Sequence, residues 1–263
     1  MDVIIAAIVS AVTSVIIALL SVQFAVRQQK RGEEQTEKRD INARYLNPLR
    51  FQVADNHYRL SDVIGRKVAR DRLLLVDGPE EISLKDWVWF NGPGNYLTSS
   101  VYMMACMFAC LQKVRDDIPY LRLSSSDDTA LAELILKLQI TFVKQGGVQY
   151  VVQTSIGQDM WLHPESRIRT YREFCELLRA SESRVWLDRV FNFYLEAGRG
   201  QKEDRAIKVI YAMQELDSFL DKCVGGGRAI ASRWAAEGMS PDAIKSFQDD
   251  GALLHASDGE VSE

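Results

Sequence analysis

Two regimes of hydrophobic patterning divide the chain. From Val3 to Val26 (VIIAAIVSAVTSVIIALLSVQFAV) no charged residue occurs. Beyond Arg27, apolar residues recur at helical spacing between polar faces. The first regime predicts a membrane-spanning helix: its 24 residues reach about 36 Å at 1.5 Å each, against a hydrocarbon core of about 30 Å. Lipid offers the backbone no partner, so a single isolated segment must satisfy itself as a helix. A cleaved signal peptide fits poorly, because the start carries Asp2 and no Lys or Arg. Arg27, Lys30 and Arg31 follow the run directly. The positive-inside rule therefore places the N-terminus outside and the rest of the chain in the cytoplasm, at the plasma membrane. Ala6, Ser10, Ser14 and Ala18 recur every four residues, a small-residue stripe that suits homo-oligomer formation through the anchor.

The second regime opens on a polar stretch. Arg27 to Asp40 (RQQKRGEEQTEKRD) has no apolar face and reads as a solvated, helical stalk. Gly32 weakens it and leaves a flexible linker as the alternative. Asn47-Pro48 marks the entry to a domain. Leu49, Val53, Leu60, Ile64 and Val68 then predict a helix from Pro48 to Leu75, with His57 in the same row, stopped by Asp77-Gly78-Pro79. After the Asn91–Asn95 turn comes YLTSSVYMMACMFACLQ, whose apolar part is short for a span and reads as a buried core helix closed by Pro119. Thr129 to Lys144 carries Leu131, Leu134, Ile135, Leu138 and Phe142 on one face and ends at Gly146-Gly147. Val148 to Thr154 has strand-like composition, but one strand makes no sheet, so it reads as a helix or an extended connector. His163-Pro164 opens a loop. Helices follow over residues 170–180, 183–197 and 201–223, the last striped by Ala206, Val209, Ile210, Met213, Leu216 and Leu220. Gly225-Gly226-Gly227 breaks the chain, Ser240-Pro241 starts a short helix, and from Asp249 the tail is acidic and expected to be disordered.

This pattern sets the organisation: anchor 1–26, charged stalk or juxtamembrane helix 27–44, helical cytoplasmic domain 45–248, tail 249–263. The fold class expected is all-α. Apolar content of 47% and charged content of 26% are those of a chain able to bury a core. The net charge of −4 excludes nucleic acid as the main partner, since phosphate contacts need a basic face.

Chemistry is sparse. Cys106, Cys110, Cys175 and Cys223 match no zinc spacing, and only His57, His163 and His255 could assist them. No metal site or cofactor is expected. Gly225-Gly226-Gly227-Arg228 lacks the strand and the Gly-Lys-Ser/Thr of a phosphate loop, and Gly92-x-Gly94 lacks a dinucleotide fingerprint. Of the paired acids, Asp127-Asp128 suits a helix start, whereas Asp116-Asp117 near a helix end is disfavoured by the dipole and open to a metal or a basic partner, but one such pair does not make a site. The Trp87-Val88-Trp89-Phe90 run reads first as core packing, and it is also the foremost candidate for an interaction surface, through Trp87, Trp89 and Phe90.

The layout resembles a loose set of bacterial proteins with one N-terminal membrane helix, a charged stalk and a Tyr-x-x-Pro-Leu segment. Here that segment is Tyr45-Leu46-Asn47-Pro48-Leu49, and a later helix from Leu97-Thr98-Ser99-Ser100-Val101-Tyr102 is also similar. The set has no assigned activity, so the resemblance implies architecture and no chemistry. The function expected is that of a membrane-anchored binding, scaffold or sensor protein with an unknown protein partner. The alternatives are a hydrolase or transferase built from scattered residues, and an oligomerising membrane effector.

Overall fold

A computed structural model describes residues 2–121, 125–163, 165–180 and 184–224, without the side chains of 2–20, 34, 118–121 and 125. The chain divides into two units, Met1–Arg44 and Tyr45–Glu263. The described elements are helical throughout apart from one two-residue strand pair, as an all-α reading requires.

The first unit is helix α1, Asp2–Ile41. Most of the expected span, with Ala6, Ser10, Ser14 and Ala18, has side chains outside the described residues. From Ser21 to Asp40 the described side chains are exposed, including Val22, Phe24 and Val26. The helix runs through Gly32, where Thr36 Oγ1 donates to the glycine carbonyl at 2.9 Å and Gln29 donates to Glu33 at 3.0 Å. Such i,i+4 contacts offset part of the roughly 1 kcal/mol that a mid-helix glycine costs.

The second unit is built round α5 (Asn95–Leu121). Helices α2 (Asn47–Gly65) and α7 (Tyr150–Met160) pack on it, and α6 (Ser125–Thr141) adds a further wall. Helix α10 (Glu203–Val224) lies against α2 and α6. Its direction follows from two ion pairs. Arg50, at the start of α2, meets Asp221 near the end of α10 at 3.0 Å. Arg70, beyond the end of α2, meets Glu203 at the start of α10 at 2.6 Å. The two helices are therefore antiparallel. Helix α9 (Asp188–Gly198) closes the core through an aromatic chain: Phe108–Phe142 at 5.2 Å, Phe142–Phe193 at 6.2 Å and Phe193–Tyr194 at 5.7 Å. At the α5–α7 crossing Gly157 is needed for close approach. A Cβ there would stand 2.9 Å from the Phe108 carbonyl oxygen.

Local sequence explains most boundaries. Pro48 sits in the first turn of α2, where its missing N–H costs nothing. The α6 ridge ends in a π turn, Phe142–Gly146, and Gly147 takes the left-handed conformation at φ 68° that caps it. Thr170 and Glu173 form a reciprocal capping box at the start of α8 (Tyr171–Arg179). The α10 stripe Ala206, Val209, Ile210, Met213, Leu216 and Leu220 is buried, as its spacing predicts.

Two expectations are corrected and two are made more definite. The helix expected from Pro48 to Leu75 ends at Gly65. Arg66 is extended (φ −132°, ψ 121°), and α3 (Lys67–Asp71) sets off again with Val68 65% exposed. The break is held by Arg70, which donates to the Val63 and Ile64 carbonyls left open at the end of α2. The core helix does not close at Pro119 but continues to Leu121, because a proline in a last turn removes at most one backbone bond. Of the two readings of Val148 to Thr154 the helix holds, since α7 takes up the segment from Tyr150 on. The loop expected at His163 is present, and it is flanked by a small antiparallel pair that the pattern did not signal, β1 (Trp161–Leu162) and β2 (Arg167–Ile168), in which Trp161 faces Ile168. The expectations for residues 225–263 lie outside the described residues.

Among the described residues, one helix is long and apolar enough to cross a membrane, Asn95–Asp117 in α5. It is mostly buried by its neighbours, and Leu97, Val101, Met104, Met107, Phe108 and Leu111 are all within 1% of full burial. It is the core helix of this unit.

Candidate functional site

The aromatic run forms a short helix, α4 (Trp87–Asn91). Asp86 starts it: its carboxylate accepts from the Trp89 amide at 2.8 Å. One helical turn distributes consecutive residues round the axis, so the three aromatics cannot share a face. Phe90 points inward, 1% exposed, with Trp89 edge-on at 5.4 Å. Its carbonyl accepts from the Tyr171 hydroxyl at 3.1 Å. Trp89 is half-buried and lies over Gly94, where a Cβ would come within 2.4 Å of the indole. Gly92-x-Gly94 is thus a packing device for Trp89. Phe90 belongs to the core and not to the surface expected of it.

What faces outward is different. Leu84 is 84% exposed, Val88 75% and Trp87 40%. Leu84 ends a 3₁₀ turn, Pro79–Leu84, whose Ile82 is buried as its anchor. Cations border this surface: Arg179 of α8 lies over the Trp87 ring at 5.4 Å and Lys85 lies near the Trp89 ring at 5.6 Å. Val88 stood in the run but between the aromatics. Leu84 is a lone leucine in a polar stretch, and Arg179 is far away in sequence, so neither gave a local signal.

The reactive side chains lie elsewhere. Burial lowers His57 to about 4, so the imidazole is neutral at physiological pH. Burial pushes the thiols of Cys106 and Cys110 to about 12 and that of Cys175 to about 11, which keeps them protonated and weakly nucleophilic. Tyr102 and Tyr171 are raised by the same cause. They pack edge-on at 5.5 Å, and the Tyr102 hydroxyl donates to the Arg169 carbonyl at 2.8 Å. Asp217 is raised to about 6 by burial and by neighbouring Asp221, with Arg50 opposing. These groups are packed between helices.

The uneasy acid pair finds local partners. Asp116 accepts from Gln112 at 2.8 Å, and Asp117 pairs with Lys113 at 3.7 Å. Asp127-Asp128 lies in the first turn of α6, where the helix dipole favours carboxylates. No group of three or more His, Cys, Asp or Glu side chains able to hold a metal ion occurs among the described residues. The Gly225–Arg228 segment lies outside them.

The arrangement presents an apolar, cation-edged surface suited to contact, and the comparisons add no chemistry to it: the chain matches no protein-family model, no curated protein and no solved structure.

Proposed function

We propose that the chain is a membrane-anchored binding protein that presents Leu84, Trp87 and Val88 to a protein partner at the cytoplasmic face of the plasma membrane. The observation that carries the binding role is the exposure of these three side chains within five residues. Large apolar groups and tryptophan at one exposed spot are what partners desolvate on association. The segment is held rigidly by Ile82, Phe90 and the Asp86 cap, so little conformational freedom is lost on binding. The anchor rests on the uncharged run from Val3 to Val26 and on the cations that follow it.

The test is capture from native membranes with the full chain, beside a Leu84→Glu/Val88→Glu variant. Both positions are exposed, so the variant should keep the helical circular dichroism of the native chain. A partner recovered with the native chain and lost from the variant supports the reading. Recovery of the same proteins by both would remove the surface from it. A reporter fused after Glu263 should be cytoplasmic, and one placed before Asp2 external. The reverse result would overturn the orientation.

A further inference from the structure

Helices α6 and α10 enclose an open groove of about 1090 Å³. That is at the upper end of ligand-cleft size. Leu136 and Ile140, one turn apart on α6, are 51% and 40% exposed on its wall, and Tyr211 of α10 lines the other side. The groove carries Lys137, Lys144 and Lys208 against Glu133 and Glu215. Lys137 and Glu215 neutralise one another at 2.7 Å. Of the remaining charges in the lining, Lys144 and Lys208 outnumber Glu133, so the groove is mildly basic and carries exposed apolar side chains.

The chain that leaves α10 at Val224 has the opposite character. Residues 240–263 contain six carboxylates and one lysine, Lys245. Among them stand Ile244, Phe247, Leu253 and Leu254. Ile244 and Phe247 are three apart, after the Ser240-Pro241 start signal, a spacing that would put them on one side of a helix. One turn of amphipathic helix cannot bury such side chains by itself and needs a groove to do so. Reach is ample. The lining residues Lys208 to Ser218 lie about 9–24 Å back along α10 from Val224, and the 16 residues from Gly225 to Ser240 span up to about 50 Å when extended.

We infer that the groove between α6 and α10 is a docking surface for the chain's own segment 240–254, with Ile244 and Phe247 seated beside Leu136 and Ile140, and Asp249 and Asp250 facing Lys144 and Lys208. This goes beyond the proposed function and does not depend on the membrane anchor. An external acidic, amphipathic helix would compete for the same groove, so the segment acts as a built-in occupant.

Zero-length carbodiimide coupling tests it on the full chain, using an equal mixture of ¹⁴N- and ¹⁵N-labelled protein. The reagent joins a carboxylate to a lysine amine in contact with it, with loss of water. The expected products are amides between Asp249 or Asp250 and Lys144 or Lys208, each within one isotopic form. Two variants keep every coupling partner. Leu136→Glu/Ile140→Glu alters the groove, and Ile244→Ser/Phe247→Ser alters the tail without touching the folded unit. Each should lower the yield at least about tenfold, as the loss of two apolar contacts requires. Links spread over lysines remote from the groove such as Lys67 and Lys85, links of mixed isotope, or yields indifferent to the tail variant would overturn the inference.

Discussion

Two long apolar stretches of this chain invite the same reading and part company on chemistry. The run Val3–Val26 and the helix α5 are both uncharged over a long distance, and α5 has the length and mean hydropathy of a membrane span. Yet α5 is the core of a folded unit. The polar residues in α5 have partners supplied by the rest of that unit. Thr98 bonds the Gly94 carbonyl and the Tyr171 hydroxyl. Ser100 accepts from Arg59, whose guanidinium stacks over Tyr96 at 4.1 Å. Asn56 of α2 donates to the Met103 carbonyl at 2.9 Å, and Asp62 accepts from the Tyr96 hydroxyl at 2.7 Å. The only polar side chains in Val3–Val26 are Ser10, Thr13, Ser14, Ser21 and Gln23, and its first six residues have none. A helix in lipid satisfies its backbone alone, whereas a core helix is recognised by the polar groups that other elements must meet. Hydropathy averages over that difference.

The comparison breaks most visibly if α5 is not packed by protein. Phe108→Ala, at the α5 end of the aromatic chain, should cost about 3–5 kcal/mol, because a large cavity opens in a dense core. Urea unfolding of the full chain in detergent measures it. Leu19→Ala in the N-terminal run should leave the midpoint where it was. Equal effects would mean that the two stretches share one environment.

Titration sharpens the contrast. His57 lies in the folded unit at about 4, below its ordinary 6.5, so the unfolded chain takes up the proton first. Its contribution is complete above pH 6.5 and is lost as pH falls towards 4, on the order of 3 kcal/mol in all. His57→Leu should flatten the stability profile over that window. Val3–Val26 has no titratable side chain, so the membrane association proposed for it should not change with pH there. Asp217 acts in the opposite sense. Its raised pKa makes the folded state less stable as pH rises from about 4 to 6, and Asp217→Asn should relieve this above pH 6 and do nothing below pH 4.

A hydroxyl tests the partners one at a time. Tyr171→Phe removes a group that links Thr98, Asn95 and the Phe90 carbonyl, and should cost about 1–2 kcal/mol of unfolding free energy. The smallest effect belongs to the other stretch. If the proposed anchor pairs through its small-residue stripe, Ser10→Leu with Ser14→Leu should weaken that pairing by about 0.6 kcal/mol for each hydroxyl bond lost, while membrane level stays constant. Ile5→Leu with Val9→Leu serves as the control in a membrane two-hybrid assay. Equal losses from both pairs would remove the stripe as an interface.

The helices α6, α8, α9 and α10 were legible because their stripes, caps and glycine stops are local. The all-α class was legible for the same reason. The break at Arg66 was not, since it depends on Arg70 reaching back to two carbonyls while pairing with Glu203. The candidate surface was half legible. The run Trp87–Phe90 marked the place, but a single turn of helix sends Phe90 inward and Val88 out.

Periodicity, capping residues and runs without charge are properties of neighbours in sequence, and they determined that this chain is helical and where most helices end. Burial is a property of neighbours in space. Only the tertiary structure decided that α5 is enclosed by α2, α6 and α7, that His57 and the thiols Cys106, Cys110 and Cys175 are withdrawn from water, and that Leu84, Trp87 and Val88 are left facing it. Each of those outcomes depends on residues tens of positions apart, and no local pattern encodes which of two apolar faces another helix will cover.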